Sequence, residues 1–145
     1  MQVDGCSTCS ACVQGLAVDD VGRVLLGQRK ADPGRGLWDI PGGFLDEGED
    51  PVEGLKREFV EETGLSVEVD VFLGIWIENY GTRFVHCATW IVRPVGGRIR
   101  AGDDLGHVEW FAADRLPATA DFAFPTHPEI LSVWAKSRQI NTRPG

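Results

Sequence analysis

Residues 50–64 carry both ends of a helix in their own side chains, and that segment constrains everything built around it. Asp50 suits the N-cap, Pro51 suits the first helical position because its missing N–H is an orphan there anyway, and Glu53 completes a capping box. Gly64 supplies the left-handed stop. Between them Val52, Leu55 and Phe59 recur at helical spacing as one apolar stripe, so the helix has a face to bury. Directly afterwards Val67, Val69 and Val71 alternate with Glu68 and Asp70, the period of a strand, and the pattern runs on towards Ile77.

Turn punctuation sets the remaining elements. Residues 13–18 and 24–28 read as two strands joined at Asp19-Asp20-Val21-Gly22, and residues 31–36, with Asp32-Pro33-Gly34, as a loop. A short apolar piece, residues 37–40, leads into Pro41-Gly42-Gly43, where backbone can approach a ligand closely. Asn79-Tyr80-Gly81-Thr82 turns into a second long strand over residues 84–92, expected to pair with the first as a hairpin. Gly96-Gly97 marks a further turn, Asp103-Asp104 a polar loop, and residues 107–111 a short strand. Helical stretches are expected briefly over 113–116 and then over 128–138. The order β-β-loop-helix-β-β-β-helix implies one α+β domain over residues 13–145, a mixed sheet flanked by helices, behind an N-terminal arm of residues 1–12.

A chain of 145 residues is large enough to bury a core without metal or disulfide staples. Its 14 basic and 22 acidic residues, net −8, argue against partners such as long nucleic acid or an anionic membrane. The 11 arginines against 3 lysines fit bidentate phosphate contacts. No basic region with an apolar run opens the chain and no stretch nears about 18 apolar residues, so a cytoplasmic location is expected. Cys6, Cys9 and Cys12 fall at a three-residue period, with Cys87 elsewhere. A zinc knuckle wants four ligands and no second pair follows, so these read as free thiols on the arm. His86, His107 and His127 make no ligand spacing and read as structural or surface residues.

The helix has one costly feature, because Glu58, Glu61 and Glu62 crowd its last two turns on one sector of the surface. Like charges at these spacings repel by a few tenths of a kcal/mol each, and acids near a helix C-terminus oppose the macrodipole by a further ~0.3–1 kcal/mol. A solvated acidic face explains acids at the wrong end poorly. Bundled carboxylates are what a hard divalent cation such as Mg²⁺ binds, and the cation turns repulsion into attraction. Glu62 falls beside Leu55 at the edge of the buried stripe, where something positive should oppose it.

Gly43, five residues, Glu49, seven residues and then Arg57-Glu58-Phe59-Val60-Glu61-Glu62-Thr63-Gly64-Leu65 resemble the complete Nudix box, with Phe59 bulkier than the usual aliphatic residue. The resemblance implies an αβα sandwich and a Mg²⁺-dependent hydrolase of phosphoanhydride bonds, Mn²⁺ substituting. It implies metal ligation by Glu58, Glu61 and Glu62, a further ligand from the Gly43 carbonyl, and Arg57 orienting acids such as Glu49. A later acid often joins such sites; Asp104 or Asp103 is the nearest match, Glu109 the next. Spacing does not choose the general base, and Glu61 is the first to test. The run Gly36-Leu37-Trp38-Asp39-Ile40-Pro41-Gly42-Gly43-Phe44 looks most like members acting on ADP-ribose and related diphosphate conjugates. A nucleoside triphosphate pyrophosphohydrolase and a silent nucleotide-binding regulatory domain are the alternatives, and three repelling acids argue against the silent one. For a small nucleotide partner, Trp38, Phe44, Trp76 and Tyr80 are candidates for stacking on a base, and Arg29, Arg35 and Arg83 for phosphate or ribose contacts. A homodimer is left open.

Overall fold

The computed structural model describes residues 10–142, with side chains through residue 138. Cys6 and Cys9, and with them the thiol-or-zinc reading of that pair, lie outside the described residues. The chain runs β1 (Ser10–Ala17), β2 (Val24–Arg29), β3 (Trp38–Asp39), β4 (Gly42–Phe44), α1 (Pro51–Thr63), β5 (Leu65–Asn79), β6 (Phe84–Gly97), β7 (Leu105–Phe111) and α2 (Thr126–Thr142). β1 runs parallel to β6 and antiparallel to β4, and β5 pairs antiparallel with β6, giving a mixed sheet in the order β4-β1-β6-β5. A second, antiparallel sheet has the order β3-β2-β7.

Strand alternation divides the core in two. On β1, Val13 and Ala17 point one way and Leu16 the other; on β2, Leu25 opposes Val24 and Leu26. Val13, Ala17 and Leu25 meet Leu55 and Phe59 of α1, whereas Leu16, Val24 and Leu26 meet Ile130, Leu131 and Trp134 of α2. The two helices therefore cover opposite faces, the αβα arrangement. Both faces of β1 and β2 being covered explains why their sequences read as nearly continuous apolar runs.

α1 begins as its cap residues dictate. The Asp50 carboxylate accepts the Glu53 N–H at 3.1 Å, while the carboxylate of Glu53 turns to Lys56 Nζ at 3.6 Å. At the other end Gly64 sits at φ 78° and its N–H reaches the Val60 carbonyl at 3.1 Å. A Cβ there would overlap the Arg98 carbonyl oxygen. Gly64→Ala combines left-handed strain of about 1–2 kcal/mol with that overlap. It is expected to lower Tm in a thermal melt by roughly 2–8 °C.

Several boundaries differ from the sequence pattern for local reasons. Residues 113–116 form a turn instead of a helix, because Leu116 precedes Pro117 and the pyrrolidine ring disfavours helical backbone there; a 3₁₀ turn follows at Thr119–Asp121. Gly96 and Gly97 stay in the ladder, opposite Ser66 and Leu65, so β6 runs past the turn that two glycines suggest. β1 starts at Ser10, which places Cys12 inside the sheet and not on an arm. There the register sets Cys12 opposite Cys87, Cα atoms 4.4 Å apart, and the two are joined as a disulfide. Sheet pairing, invisible to sequence spacing, corrects the thiol reading for this pair.

Candidate active site

The last turn of α1 leaves carbonyls without helical partners. The backbone between β6 and β7 supplies donors: Arg100 N–H bonds the Thr63 carbonyl at 2.8 Å and Gly102 N–H the Glu62 carbonyl at 3.0 Å. This tether lays Asp103 and Asp104 against the acid-bearing turn, Asp103 in the left-handed region at φ 53°. From the opposite side the Gly42 N–H donates to Glu62 Oε1 at 2.9 Å, and a Cβ on Gly43 would overlap the Glu58 carboxylate. The close approach explains why glycine stands at residue 43.

Two overlapping carboxylate groups result, Glu58 with Glu61 and Asp103, and Glu62 with Asp103 and Asp104. Within each group one oxygen from every residue lies within 4.8 Å of the others. The three box glutamates thus divide between two groups with Asp103 common to both, while Glu109 pairs with His107 at 3.0 Å instead. Every donor is a hard oxygen, the chemistry of a magnesium or manganese site.

Burial sets the electrostatics of this cluster. Glu62 is 3% exposed and Glu58 6%, while the Glu61 side chain is 43% exposed. Desolvation raises Glu62 to a pKa of about 9, against the Gly42 hydrogen bond that favours its charge. Desolvation likewise raises Glu58 to about 7, against the adjacent Arg57 guanidinium. What opposes Glu62 is a backbone N–H, not a cationic side chain.

Arg57 organises the outer acids. Its Nε and Nη2 hold both oxygens of Glu49, at 2.8 and 2.9 Å, and its Nη1 reaches Glu58 at 3.0 Å and Glu61 at 3.1 Å. Hydrogen bonds from Arg57 hold the Glu49 carboxyl down at about 2.

The cluster opens into a cavity of about 190 Å³. Gly42, Gly43, Glu58, Glu62, Asp103 and Asp104 line it together with Cys12, Gln14, Arg29, Asp39, Ile40, Phe44, Glu78 and Tyr80. Of the residues considered for substrate contact, Arg29, Phe44 and Tyr80 therefore face this space. Phe44 and Tyr80 meet edge to face with centroids 5.7 Å apart, and Arg83 caps the Phe44 ring at 4.8 Å. Trp38 and Trp76 are instead half-buried against the α2-side core, Trp38 edge-on to Phe111, and Arg35 is exposed away from the cavity. Trp76 follows the phase of Glu78, opposite to the exposed Ile75 and Ile77, and that phase puts it inside.

A buried polar group at the cavity floor has little signature in the sequence. His127 is 1% exposed; its Nδ1 accepts the Ile40 N–H at 3.1 Å, which assigns the ring proton to Nε2, 2.7 Å from Glu78 Oε1 and 3.1 Å from Gln14 Oε1. Gln14 Nε2 donates to Thr89, and Arg29 Nη1 to Asp39 at 2.7 Å. Desolvation raises the Asp39 carboxyl, which also lies 3.2 Å from His127 Nδ1. Among the described residues no buried side-chain polar atom lacks a partner. The available signal was a Gln within the apolar run of β1; Glu78 shares the phase of Glu68 and Asp70 in the sequence, and it lies inside only after the register shifts along β5.

Comparison with known proteins gives this geometry its context. The NUDIX domain family model matches residues 11–132. The chain is 36% identical over 110 residues to an ADP-ribose pyrophosphatase of Methanocaldococcus jannaschii, a match spanning 74% of this chain and 64% of that protein. It is 52% identical over 97 residues to a mouse oxidized purine nucleoside triphosphate hydrolase, spanning 66% of this chain and 62% of the relative. The chain thus spans somewhat less than two thirds of the length of these curated relatives. The crystal structure of a NUDIX hydrolase from Nitrosomonas europaea superposes with a TM-score of 0.81 at 22% identity, covering 95% of this chain and 76% of that one, which shows the shared fold. Among the described residues no helix is long and apolar enough to cross a membrane. With the glutamate helix, its docked aspartate loop and a family match over most of the sequence, the chain belongs to the NUDIX domain family.

Proposed function

We propose that this protein hydrolyses a phosphoanhydride bond in a nucleoside diphosphate linked to another moiety, with ADP-ribose-like conjugates favoured. The supporting observation is that Glu58, Glu62, Asp103 and Asp104 share one cavity with Arg29, Phe44 and Tyr80, so phosphates and a ring would meet one continuous space. The acids fit a divalent cation, Mg²⁺ or Mn²⁺, since they are crowded, hard and, at Glu58 and Glu62, held well above the usual carboxylate range by burial. Glu58, Glu61 and Glu62 would hold it, with Asp103 and Asp104 adjoining and the Gly43 carbonyl within the same wall. When bound, such an ion supplies Lewis-acid charge that polarises a phosphoryl oxygen and offsets charge on the leaving phosphate.

The chain's own groups divide the remaining work. Arg57 fixes Glu49, Glu58 and Glu61 in one network, so the acids keep their spacing while substrate exchanges. Glu61, the most exposed of the three glutamates, is the candidate to take a proton from an attacking water. Phe44, Tyr80 and Arg29 border the space where a base and its phosphates would lie, with Arg83 over one face of the Phe44 ring and Tyr80 stacked on Phe124.

A second reading, pyrophosphate release from a nucleoside triphosphate, is favoured by the mouse relative. Product analysis separates the two. Incubation with ADP-ribose, NADH, dinucleoside polyphosphates and nucleoside triphosphates is expected to give the fastest turnover on ADP-ribose, yielding AMP and ribose 5-phosphate. Fastest release of pyrophosphate from a triphosphate would replace the first reading with the second.

A further inference from the structure

We propose that His127 is a positioning residue for the carboxylate cluster, acting through backbone and never touching substrate. The inference rests on the reading of that cluster as a cation site. Three successive backbone groups ahead of Gly43 are pinned from different sides: Ile40 N–H by His127 Nδ1 at 3.1 Å, the Pro41 carbonyl by Gly15 N–H at 3.0 Å, and Gly42 N–H by Glu62 Oε1 at 2.9 Å. Ile40 is 2% exposed, so without the imidazole its N–H would be an orphan buried donor. The segment would shift to find water, carrying Gly42 away from Glu62 and Gly43 away from Glu58.

His127 is itself fixed by two other elements. Nε2 lies 2.7 Å from Glu78 on β5 and 3.1 Å from Gln14 on β1, and the Glu78 carboxylate also accepts Thr126 Oγ1 at 3.2 Å. The first turn of α2, some 65 residues after the glutamates in sequence, thereby reaches a backbone segment that bonds one of them directly. Groups that hold metal ligands in place typically contribute 10–100-fold to metal affinity.

The test measures Mn²⁺ binding by electron paramagnetic resonance in four proteins, well below their melting temperatures. His127→Leu removes the acceptor and is expected to weaken Mn²⁺ at least 10-fold. His127→Asn offers an oxygen near the Nδ1 position and is expected to recover most of that loss. Trp134→Phe loosens the buried face of α2 in the same apolar cluster as Ile40 but leaves the acceptor for the Ile40 N–H in place, and is expected to lower Tm while leaving Mn²⁺ affinity within about 2-fold of wild type. Equal Mn²⁺ affinity in wild type and His127→Leu would overturn the positioning role, as would parallel losses in His127→Leu and Trp134→Phe or failure of His127→Asn to recover binding. Wild-type protein that binds no Mn²⁺ would instead overturn the cation-site reading beneath it, a distinguishable result.

Discussion

Glu62→Gln is expected to cut kcat/KM by at least about 10³-fold while making the metal-free protein more stable at pH 8. The two effects have one origin. Glu62 is almost wholly buried and desolvation raises its pKa to about 9, so its charged form is what folding disfavours and what a cation needs. Gln keeps the shape and the acceptor for Gly42 N–H but cannot ionise. Loss of a ligand charge forfeits several kcal/mol of transition-state stabilisation, and each 1.36 kcal/mol is a decade in rate, roughly. Glu58→Gln should behave similarly with a smaller gain in stability, its pKa being raised only to about 7. Steady-state kinetics with thermal melts in EDTA check both halves, and a Glu62→Gln enzyme of near wild-type activity would remove Glu62 from the cation site.

In the absence of metal, Tm is expected to fall as pH rises from 5 to 9, opposite to the usual carboxylate behaviour. Below the ordinary value of 4.5 the folded and unfolded chains both hold the Glu58 and Glu62 protons. Above it the unfolded chain releases them, while the folded chain keeps that of Glu58 to about 7 and that of Glu62 to about 9. Across this window the native state binds more protons, so stability declines with pH and levels off beyond about 9. A tenfold difference in proton affinity between the folded and unfolded chains is worth about 1.36 kcal/mol before relaxation and water entry reduce it, which leaves a fall on the order of 2–4 kcal/mol. Divalent cation should reverse it: Mg²⁺ or Mn²⁺ raises Tm more at pH 8 than at pH 6, and binding at pH 7 releases protons. Calorimetry in buffers of different ionisation enthalpy counts those protons, and a metal-free Tm that rises through this window would show that Glu58 and Glu62 are ionised without a partner.

How much of this was legible in the sequence varies with the range of the interaction. α1 was readable end to end because its signals are local: Asp50 and Pro51 at the start, Gly64 at the stop, Leu55 and Phe59 on the buried face. The Nudix box made the family legible for the same reason, lying within one stretch of chain. Asp103 and Asp104 were named as candidate site acids only through the family resemblance, since their approach depends on Arg100 and Gly102 bonding the carbonyls of α1. Trp38 and Trp76 looked like substrate residues because an aromatic advertises stacking whether it faces a cavity or a core. The floor of Gln14, Asp39, Glu78 and His127 draws on β1, β3, β5 and α2, so no periodicity could bring it together. The Cys12–Cys87 pair is the same case in miniature, adjacent in the sheet and 75 residues apart in the chain.

The central claim is that one carboxylate cluster both binds the divalent cation and supports anhydride hydrolysis. Titrating Mn²⁺ into wild type, Glu58→Gln and Glu62→Gln, with bound Mn²⁺ read by electron paramagnetic resonance and ADP-ribose hydrolysis measured in the same samples, tests it most directly. Wild-type activity is expected to rise in step with occupancy, and both variants to lose binding and turnover together. Hydrolysis that proceeds undiminished in EDTA, or variants that keep full turnover without binding Mn²⁺, would contradict it.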